Sequence, residues 1–290
     1  MTAPAADLRI VQHSSEHGRW WAVFRPPDPR LGLHVRVYQG YRMTLTRYAR
    51  GLEVASTDVP LIFNFGPALR VIDPRRPEGE AGRIGSFVAG LFDSFVYTES
   101  SGPMYGLQVN LSPLGAYRIL GLPMGELTNR VVEVEDLLGA EGRRLLERLA
   151  MAPSWERRFA LLDAFFLSRL AASDAPSATV DGAWQRLAAT HGLLGIGSLA
   201  AELGVSQRHL IAQFRAQVGL PPKTLARILR FKRALDLLDG QPVRRWAELA
   251  YDCGYYDQAH FNRDFREFTG TTPSDFLTRR LPEGGGVAGD

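Results

Sequence analysis

The chain has 290 residues, of which 45% are apolar and 22% charged, and a formal net charge of +3. These values are typical of a globular protein and exclude a mainly disordered chain, a collagen-like fibre and a long coiled coil. No run of about 18 apolar residues occurs, so we expect no membrane span. A single cysteine, Cys253, and an N-terminus without an apolar signal segment predict a cytoplasmic protein.

The positive charge is concentrated near the C-terminus. Residues 181–280 contain 14 Lys and Arg against 10 Asp and Glu, so the whole excess lies there. Chance fluctuation would explain this balance on its own. The excess nevertheless favours a C-terminal part that binds a polyanion.

Residues 19–111 are predicted to form short strands. Tyr41, Met43 and Leu45 alternate with polar residues, which is the pattern of a half-buried strand. Further apolar runs are bounded by Gly, Pro and Ser. They lie at 59–65, 86–90, 92–97 and 105–111. Many short strands with turn signals predict a small, cupin-like barrel or sandwich.

Helices are predicted after this β-rich part. Ser112 caps a helix at 114–120 that ends at Gly121, and Ser154 caps a later one. The later helix carries an apolar stripe. The residues of this stripe are Phe159, Leu162, Phe166 and Leu170. Two more helical segments are expected before it, at 135–138 and 141–150.

The strongest signal is an internal repeat. Three residues of the first copy recur 50 positions later, and six more recur 51 positions later. The first set is Leu199, Ala200 and Gly204, which match Leu249, Ala250 and Gly254. The second set is Gln207, His209, Phe214, Arg215, Gly219 and Pro222, which match Gln258, His260, Phe265, Arg266, Gly270 and Pro273.

Each copy has the pattern of a helix-turn-helix. A short helix at 197–203 or 246–253 ends at a glycine, and a second helix is capped by Ser206 or Asp257. Leu210, Phe214 and Val218 form the inner stripe of the first copy, and Phe261, Phe265 and Phe268 that of the second. This unit can place a helix in the DNA major groove.

A single helix at 222–239 is predicted between the copies. At 1.5 Å per residue it would be about 27 Å long, which would hold the two units roughly one turn of DNA apart. Its basic residues Lys223, Arg227 and Arg230 are predicted to reach phosphates.

These residues together resemble the DNA-binding domain of AraC/XylS-type transcriptional regulators. The resemblance covers residues 183–280, with the densest matches at 199–206 and 254–265. It implies seven helices, promoter binding and an N-terminal domain that senses a signal or mediates association. The chain is thus expected to be an α+β protein with domains at 1–172 and 182–280, a linker at 173–181 and a disordered tail at 281–290.

The outer faces of the second helices give the predicted DNA contacts. Base-facing residues are Arg208, Ile211, Ala212, Gln258, Ala259, Asn262 and Arg263. The predicted phosphate contacts are Ser206, Gln207, Arg215, Lys223, Arg227, Arg230, Asp257 and Arg266. The family pattern points positions 211 and 212 at bases, yet Ile and Ala form no hydrogen bonds there. We therefore expect the second unit to supply most hydrogen-bonded readout.

Other residues have structural alternatives to a functional role. A ligand pocket is predicted from Trp20, Trp21, Tyr41, Phe63 and Phe65, although strand packing explains the two tryptophans as well. His13 and His17 have the spacing of metal ligands on a helix, but no third ligand is evident. His209 and His260 are read as structural or phosphate-side residues, and Cys253 as core. We expect no cofactor.

The sequence thus predicts a bacterial transcription activator that binds double-stranded DNA as a homodimer and works with RNA polymerase. A small-molecule effector is expected to act through the N-terminal half. Two alternatives remain open. The N-terminal half could serve only for self-association, or it could be a β-barrel enzyme tethered to DNA, although no nucleophile motif, phosphate loop or metal triad supports catalysis.

Overall fold

A computed structural model describes residues 8–15, 18–45, 49–76, 82–100, 102–240 and 245–279. The predicted fold class is confirmed, because a β-rich N-terminal part is followed by helices and by a helical C-terminal part. The predicted tail at 281–290 and His17 lie outside the described residues. No described helix is both long and apolar enough to cross a bilayer.

The described strands form two antiparallel sheets. A seven-stranded sheet has the order β1-β2-β3-β9-β5-β7-β10, and a three-stranded sheet has the order β4-β8-β6. Their bounds are β1 Arg9–Ser15, β2 Gly18–Arg25, β3 Val35–Leu45, β4 Ala49–Glu53, β5 Val59–Asn64, β6 Arg70–Ile72, β7 Phe87–Ala89, β8 Val96–Ser100, β9 Met104–Leu111 and β10 Val131–Glu133.

One predicted strand is wrong in its first half. The run at 92–97 contributes only its last two residues to β8. Residues 91–95 instead form a loop, in which the Asp93 amide donates to the Asn129 side chain (3.1 Å). Side-chain and backbone contacts outside the sheet thus replace the ladder that the apolar pattern predicted.

The described helices follow in chain order. They are α1 Pro113–Leu120, α2 Val134–Met151, α3 Trp155–Ala171, α4 Ala178–Ala189, α5 Ile196–Glu202, α6 Gln207–Gln217, α7 Pro222–Gly240, α8 Trp246–Asp252, α9 Gln258–Thr269 and α10 Pro273–Arg279. Ser177 accepts from the Val180 amide and caps α4. The last four residues of the predicted linker are therefore helical.

Capping residues explain the helix ends as the sequence predicted. Ser112 Oγ accepts from the Gly115 amide (3.1 Å), and Gly121 ends α1 with φ +72°. Gly139, with φ +55°, interrupts α2 between the two predicted helical segments.

Helix α3 covers one face of the large sheet. Its apolar stripe is buried, and Phe159 stacks on Tyr38 of β3 with ring centroids 5.6 Å apart. Asp163 accepts a hydrogen bond from the Tyr38 hydroxyl (2.9 Å) and pairs with Arg25. Burial and the nearby Asp163 carboxylate raise the pKa of Tyr38. One continuous apolar core runs from this region into the C-terminal helices.

The packing of α3 on β3 depends on a missing side chain at Gly40. A Cβ there would lie 2.3 Å from the Trp155 ring. We expect Gly40→Ala to lower the free energy of unfolding by about 1–3 kcal/mol, because overpacking displaces α3. Urea denaturation measures this change. Gly85→Ala is the control, since nothing lies within 4 Å of that position, and equal stabilities of the two variants would contradict the packing argument.

Candidate nucleic-acid interface

The first helix-turn-helix unit comprises α5 and α6. Gly204, with φ +67°, turns the chain after α5, and Ser206 Oγ accepts from the His209 amide (3.2 Å) to begin α6. Leu210 and Phe214 bury the inner face of α6. The glycine is required because a left-handed conformation is strained for side chains with a Cβ.

The second unit repeats this construction in α8 and α9. Gly254 has φ +77°, and the Asp257 carboxylate accepts from the His260 amide (2.7 Å). Phe261, Phe265 and Phe268 are buried. The sequence repeat thus corresponds to a repeated helix-turn-helix structure.

The outer faces of α6 and α9 remain open to solvent. Ile211 and the equivalent Asn262 are half-buried. The other predicted base-facing residues are exposed, namely Arg208, Ala212, Gln258, Ala259 and Arg263. All seven therefore remain available for a partner, and their contact with bases stays a prediction.

Arg227 does not serve as a free phosphate ligand. Its guanidinium donates to Asp264 (2.8 Å) and Glu267 (2.5 Å) of α9 and lies 5.0 Å from the Phe268 ring. Hydrogen bonds that Arg227 donates to Glu267 and then to Asp264 raise the pKa of its guanidinium. Two carboxylates neutralise this charge, so the sequence interpretation of Arg227 is corrected: it joins α7 to α9.

Two further predicted phosphate ligands have internal roles. Arg230 donates to the Gly192 carbonyl (3.0 Å) and lies over the Tyr255 ring at 5.5 Å. Asp257 caps α9, and its negative carboxylate repels phosphate. Exposed polar or basic side chains remain at the other five positions, namely Ser206, Gln207, Arg215, Lys223 and Arg266.

Cys253, His260 and His13 have structural contacts. Cys253 is buried, and burial raises the pKa of its thiol to about 11. His260 packs edge-on against Tyr255, with ring centroids 5.2 Å apart. His13 stacks on Trp20. Among the described residues, no group of three metal-ligating side chains could hold a metal ion.

The N-terminal part contacts the C-terminal end of α6. Thr128 Oγ1 donates to the Gly219 carbonyl (2.7 Å), just after α6. A Cβ on Gly219 would lie 3.1 Å from the Met124 carbonyl oxygen. Residues 124–130 therefore fit closely against the C-terminal end of α6.

A second N-terminal loop contacts the equivalent end of α9. Ser94 Oγ donates to the Glu267 carbonyl (3.0 Å), and a Cβ on Gly270 would lie 2.4 Å from the Phe95 ring. The Ala55 amide also donates to the Phe268 carbonyl (3.3 Å). Gly219 and Gly270 are equivalent in the repeat, so the N-terminal part contacts the same place in both units.

The two loops also bond to each other. We call residues 90–95 and 124–130 the bridge loops. The Asn129 amide donates to the Leu91 carbonyl (3.0 Å), and the Gly90 amide donates to the Arg130 carbonyl (3.0 Å). Asn129 itself has φ +55°. The bridge loops thus connect the ends of α6 and α9 through the N-terminal part.

The five residues of the predicted ligand pocket do not come together. Successive residues of a strand face opposite sides of a sheet, and Trp21 packs on Trp155 of α3 at 5.5 Å. Phe63 and Phe65 share that side, whereas Trp20 and Tyr41 lie on the other. The prediction is corrected, because period-2 geometry separates neighbouring tryptophans.

Sequence reasoning missed Asp264, Ser94 and Thr128. Asp264 follows Phe261 by three residues on the buried face of α9, so a charge within that apolar stripe was a readable signal of a buried partner. Ser94 and Thr128 carry no such signal, because their partners are backbone atoms far away in sequence.

Two protein-family models match separate parts of the chain. A family described as "Helix-turn-helix domain" matches residues 199–279, and a family described as "Domain of unknown function (DUF6597)" matches residues 24–133. The resemblance of the C-terminal part to AraC/XylS-type regulators is confirmed. The comparison with curated proteins finds no match.

Several solved structures are similar to this chain. ToxT from Vibrio Cholerae O395 is 14% identical, with a TM-score of 0.45 over 83% of this chain and 96% of that one. The C-terminal domain of AraT, a response regulator from Geobacillus stearothermophilus, is 25% identical over 38% and 93%, with a TM-score of 0.35. An AraC-type regulator from Chromobacterium violaceum is 26% identical over 37% and 95%, with a TM-score of 0.33.

The ion pair between α7 and α9 predicts a stability effect. Asp264 is only 3% exposed, so Arg227→Met leaves a buried carboxylate without its partner. We expect the free energy of unfolding to fall by about 2–4 kcal/mol. Lys232→Met is the control, because it removes an exposed pair with Asp236 and should change stability by less than about 0.5 kcal/mol. If Arg227→Met kept normal stability but weakened DNA binding, Arg227 would be a phosphate ligand as the sequence predicted.

Proposed function

We propose that this chain, whose residues 199–279 form an AraC-type helix-turn-helix domain, is a sequence-specific transcriptional regulator that inserts α6 and α9 into successive major grooves of a promoter. The observation that carries this proposal is the duplicated unit with two exposed, equivalent outer faces. Helix α7 has 19 residues, hence a length of about 28 Å. That length suits two units one DNA turn apart, about 34 Å.

The two units recognise bases by different kinds of contact. Asn262 and Arg263 of α9 offer hydrogen bonds, the first to adenine and the second to guanine. The equivalent positions of α6 hold Ile211 and Ala212, which suit apolar contact with thymine methyl groups. Exposed Arg215, Lys223 and Arg266 add attraction to phosphates that is independent of sequence.

The N-terminal half modulates DNA binding through the bridge loops. These loops contact the ends of both recognition helices, so a ligand or partner that favours one loop arrangement would favour one arrangement of the two units. A second copy on neighbouring DNA would raise avidity. We further infer that the regulator is a cytoplasmic homodimer that activates transcription with RNA polymerase.

An N-terminal half that serves only for self-association remains the second candidate function. The bridge contacts favour the modulating role over it, because a purely associative domain has no need to touch both recognition helices. A thermal-shift screen of the full chain against metabolites, followed by DNA binding with and without each hit, separates the two candidates.

Replacing the base-reading arginine tests the division of recognition. Arg263→Ala removes a predicted bidentate contact with guanine, worth about 1–3 kcal/mol. We expect a roughly 5-fold to 150-fold loss of affinity on the target promoter. Affinity for a scrambled site should change far less. Fluorescence anisotropy with both DNAs at one salt concentration measures this.

The matched control for this test is Ile211→Ala at the apolar position of the first unit. Its loss should be smaller and confined to sites with thymine at the contacted pair. Equal losses on target and scrambled DNA for Arg263→Ala would show a phosphate contact and contradict the proposed readout.

Loosening the bridge tests the modulating role. The double variant Ser94→Ala, Thr128→Val removes two hydrogen bonds of about 1 kcal/mol each. We expect weaker discrimination between a promoter with native half-site spacing and one lengthened by one base pair, by about 5-fold to 30-fold. The ratio of the two affinities is the measured quantity, so the result does not depend on whether overall affinity rises or falls.

Thr98→Val is the control, because Thr98 donates only to Glu53 on the small sheet. It should keep the spacing preference of the unmodified chain. If the double variant kept the unmodified ratio of affinities for the two promoters, the bridge loops would not modulate DNA binding.

A further inference from the structure

Arg158 is a buried cation with few partners. It lies in the first turn of α3 and is only 8% exposed. Its Nε donates to the Leu149 carbonyl (2.9 Å) near the end of α2. A guanidinium has five N–H donors, so this bond satisfies one of them.

Three aromatic rings surround the guanidinium. Its Cζ lies 4.7 Å from the ring centroid of Trp155, 5.5 Å from that of Phe65 and 5.7 Å from that of Tyr105. Trp21 continues the cluster, 5.5 Å from Trp155. We call these four rings and Arg158 the aromatic cage. Each of the four rings is only half-buried, so ring surface stays open to solvent.

The charge of Arg158 has no carboxylate partner in the described part of the chain. None of the ion pairs found there includes it, and its Nη atoms donate to none of these residues. Neither Nη atom is fully enclosed by the protein, so both keep contact with solvent. Cation–π contacts offset part of the burial penalty but leave the Nη donors unused.

Two features beside the cage favour an anion. Arg158 lies near the N-terminal end of the 17-residue helix α3, where the helix dipole favours an anion. Arg42 of β3 lies directly opposite both Tyr105 of β9 and Trp21 of β2, so it shares their side of the sheet. Arg42 is exposed.

We propose that the aromatic cage is a binding site for a carboxylate attached to a flat apolar body. The carboxylate accepts two parallel hydrogen bonds from the Nη groups of Arg158, which is the geometry that a guanidinium fork favours. The apolar body stacks on the open faces of Trp155 and Trp21. Such a ligand supplies the missing anion and covers the exposed rings together.

The nearby acidic cleft does not suit the carboxylate of this ligand. Phe65 also borders an open cleft of about 430 Å³, whose wall includes Glu133, Glu135 and Glu147. Three carboxylates repel an anion from that cleft. The cleft is therefore not where the carboxylate of the ligand binds.

The ligand of this site would be the effector of the proposed regulator, and to that extent the inference rests on the proposed function. Helix α3 packs on α1, and α1 packs on α6 and on the 3-10 turn Met124–Glu126 of the second bridge loop. A ligand at the N-terminal end of α3 thus has a packed route to the first recognition helix. Binding itself needs no DNA, so its failure and the failure of promoter recognition are separate results.

Calorimetric titration of the full chain tests the site. The probes are 1-naphthoate, the neutral 1-naphthamide and the cationic 1-naphthylmethylammonium. We expect 1-naphthoate to bind with a dissociation constant below about 1 mM, and the amide to bind about 10-fold to 100-fold more weakly. The ammonium compound should not bind.

Variants of the arginine then locate the carboxylate. Arg158→Lys keeps a charge but loses the fork, and we expect about a 10-fold loss of affinity for 1-naphthoate. Arg158→Gln should abolish the preference for 1-naphthoate over 1-naphthamide. Arg144→Gln, an exposed position on α2, should bind as the unmodified chain does.

Three outcomes would overturn the proposal. The first is no binding of 1-naphthoate at 5 mM, which is roughly the weakest affinity worth assigning to a site. The second is equal affinity for 1-naphthoate and 1-naphthamide. The third is unchanged binding of 1-naphthoate by both Arg158→Lys and Arg158→Gln. The first two use the unmodified chain, so they decide the matter even if the variants fail to fold.

Discussion

The structure depends on one set of contacts, in which the bridge loops hold the equivalent ends of α6 and α9. Thr128 bonds to Gly219 after α6, and Ser94 bonds to Glu267 near the end of α9. The loops are joined to each other through Asn129. Helices α6 and α9 are proposed to fit successive grooves and therefore need a fixed relation, and the ion pair of Arg227 on α7 with Asp264 on α9 is one connection that fixes it. The bridge loops supply a second connection.

The duplicated units differ in chemistry although they share a construction. The first offers apolar side chains at positions where the second offers Asn262 and Arg263. The second also carries a buried charge, Asp264, where the first has the neutral Gln213. Arg227 of α7 neutralises that charge and fixes α9 to the connecting helix. The unit proposed to read bases by hydrogen bonds is therefore joined to α7 by a buried ion pair, and firm placement is what bidentate contacts require.

Much of the site could be predicted, and the failures have a physical pattern. The caps Ser206 and Asp257 were predictable, since a cap depends on residues three positions away. Arg227 was predicted to bind phosphate, because its partner lies 37 positions further on and pairing over that distance leaves no local signal. The ligand pocket failed for a related reason: apolar composition does not say which side of a sheet each residue faces.

The sequence by itself determined the local features of this protein: the strand alternation, the helix caps, the inner stripes of α6 and α9, and the repeat that identifies the helix-turn-helix domain. The alternation, caps and stripes depend on backbone preferences and periodicity within about ten residues, and the repeat depends on direct matches 50 and 51 positions apart. Only the tertiary structure decided which charges are free and which are neutralised. It buried Arg158 among aromatic rings and gave Arg227 two carboxylates, because the fold sets the distance between groups far apart in the chain.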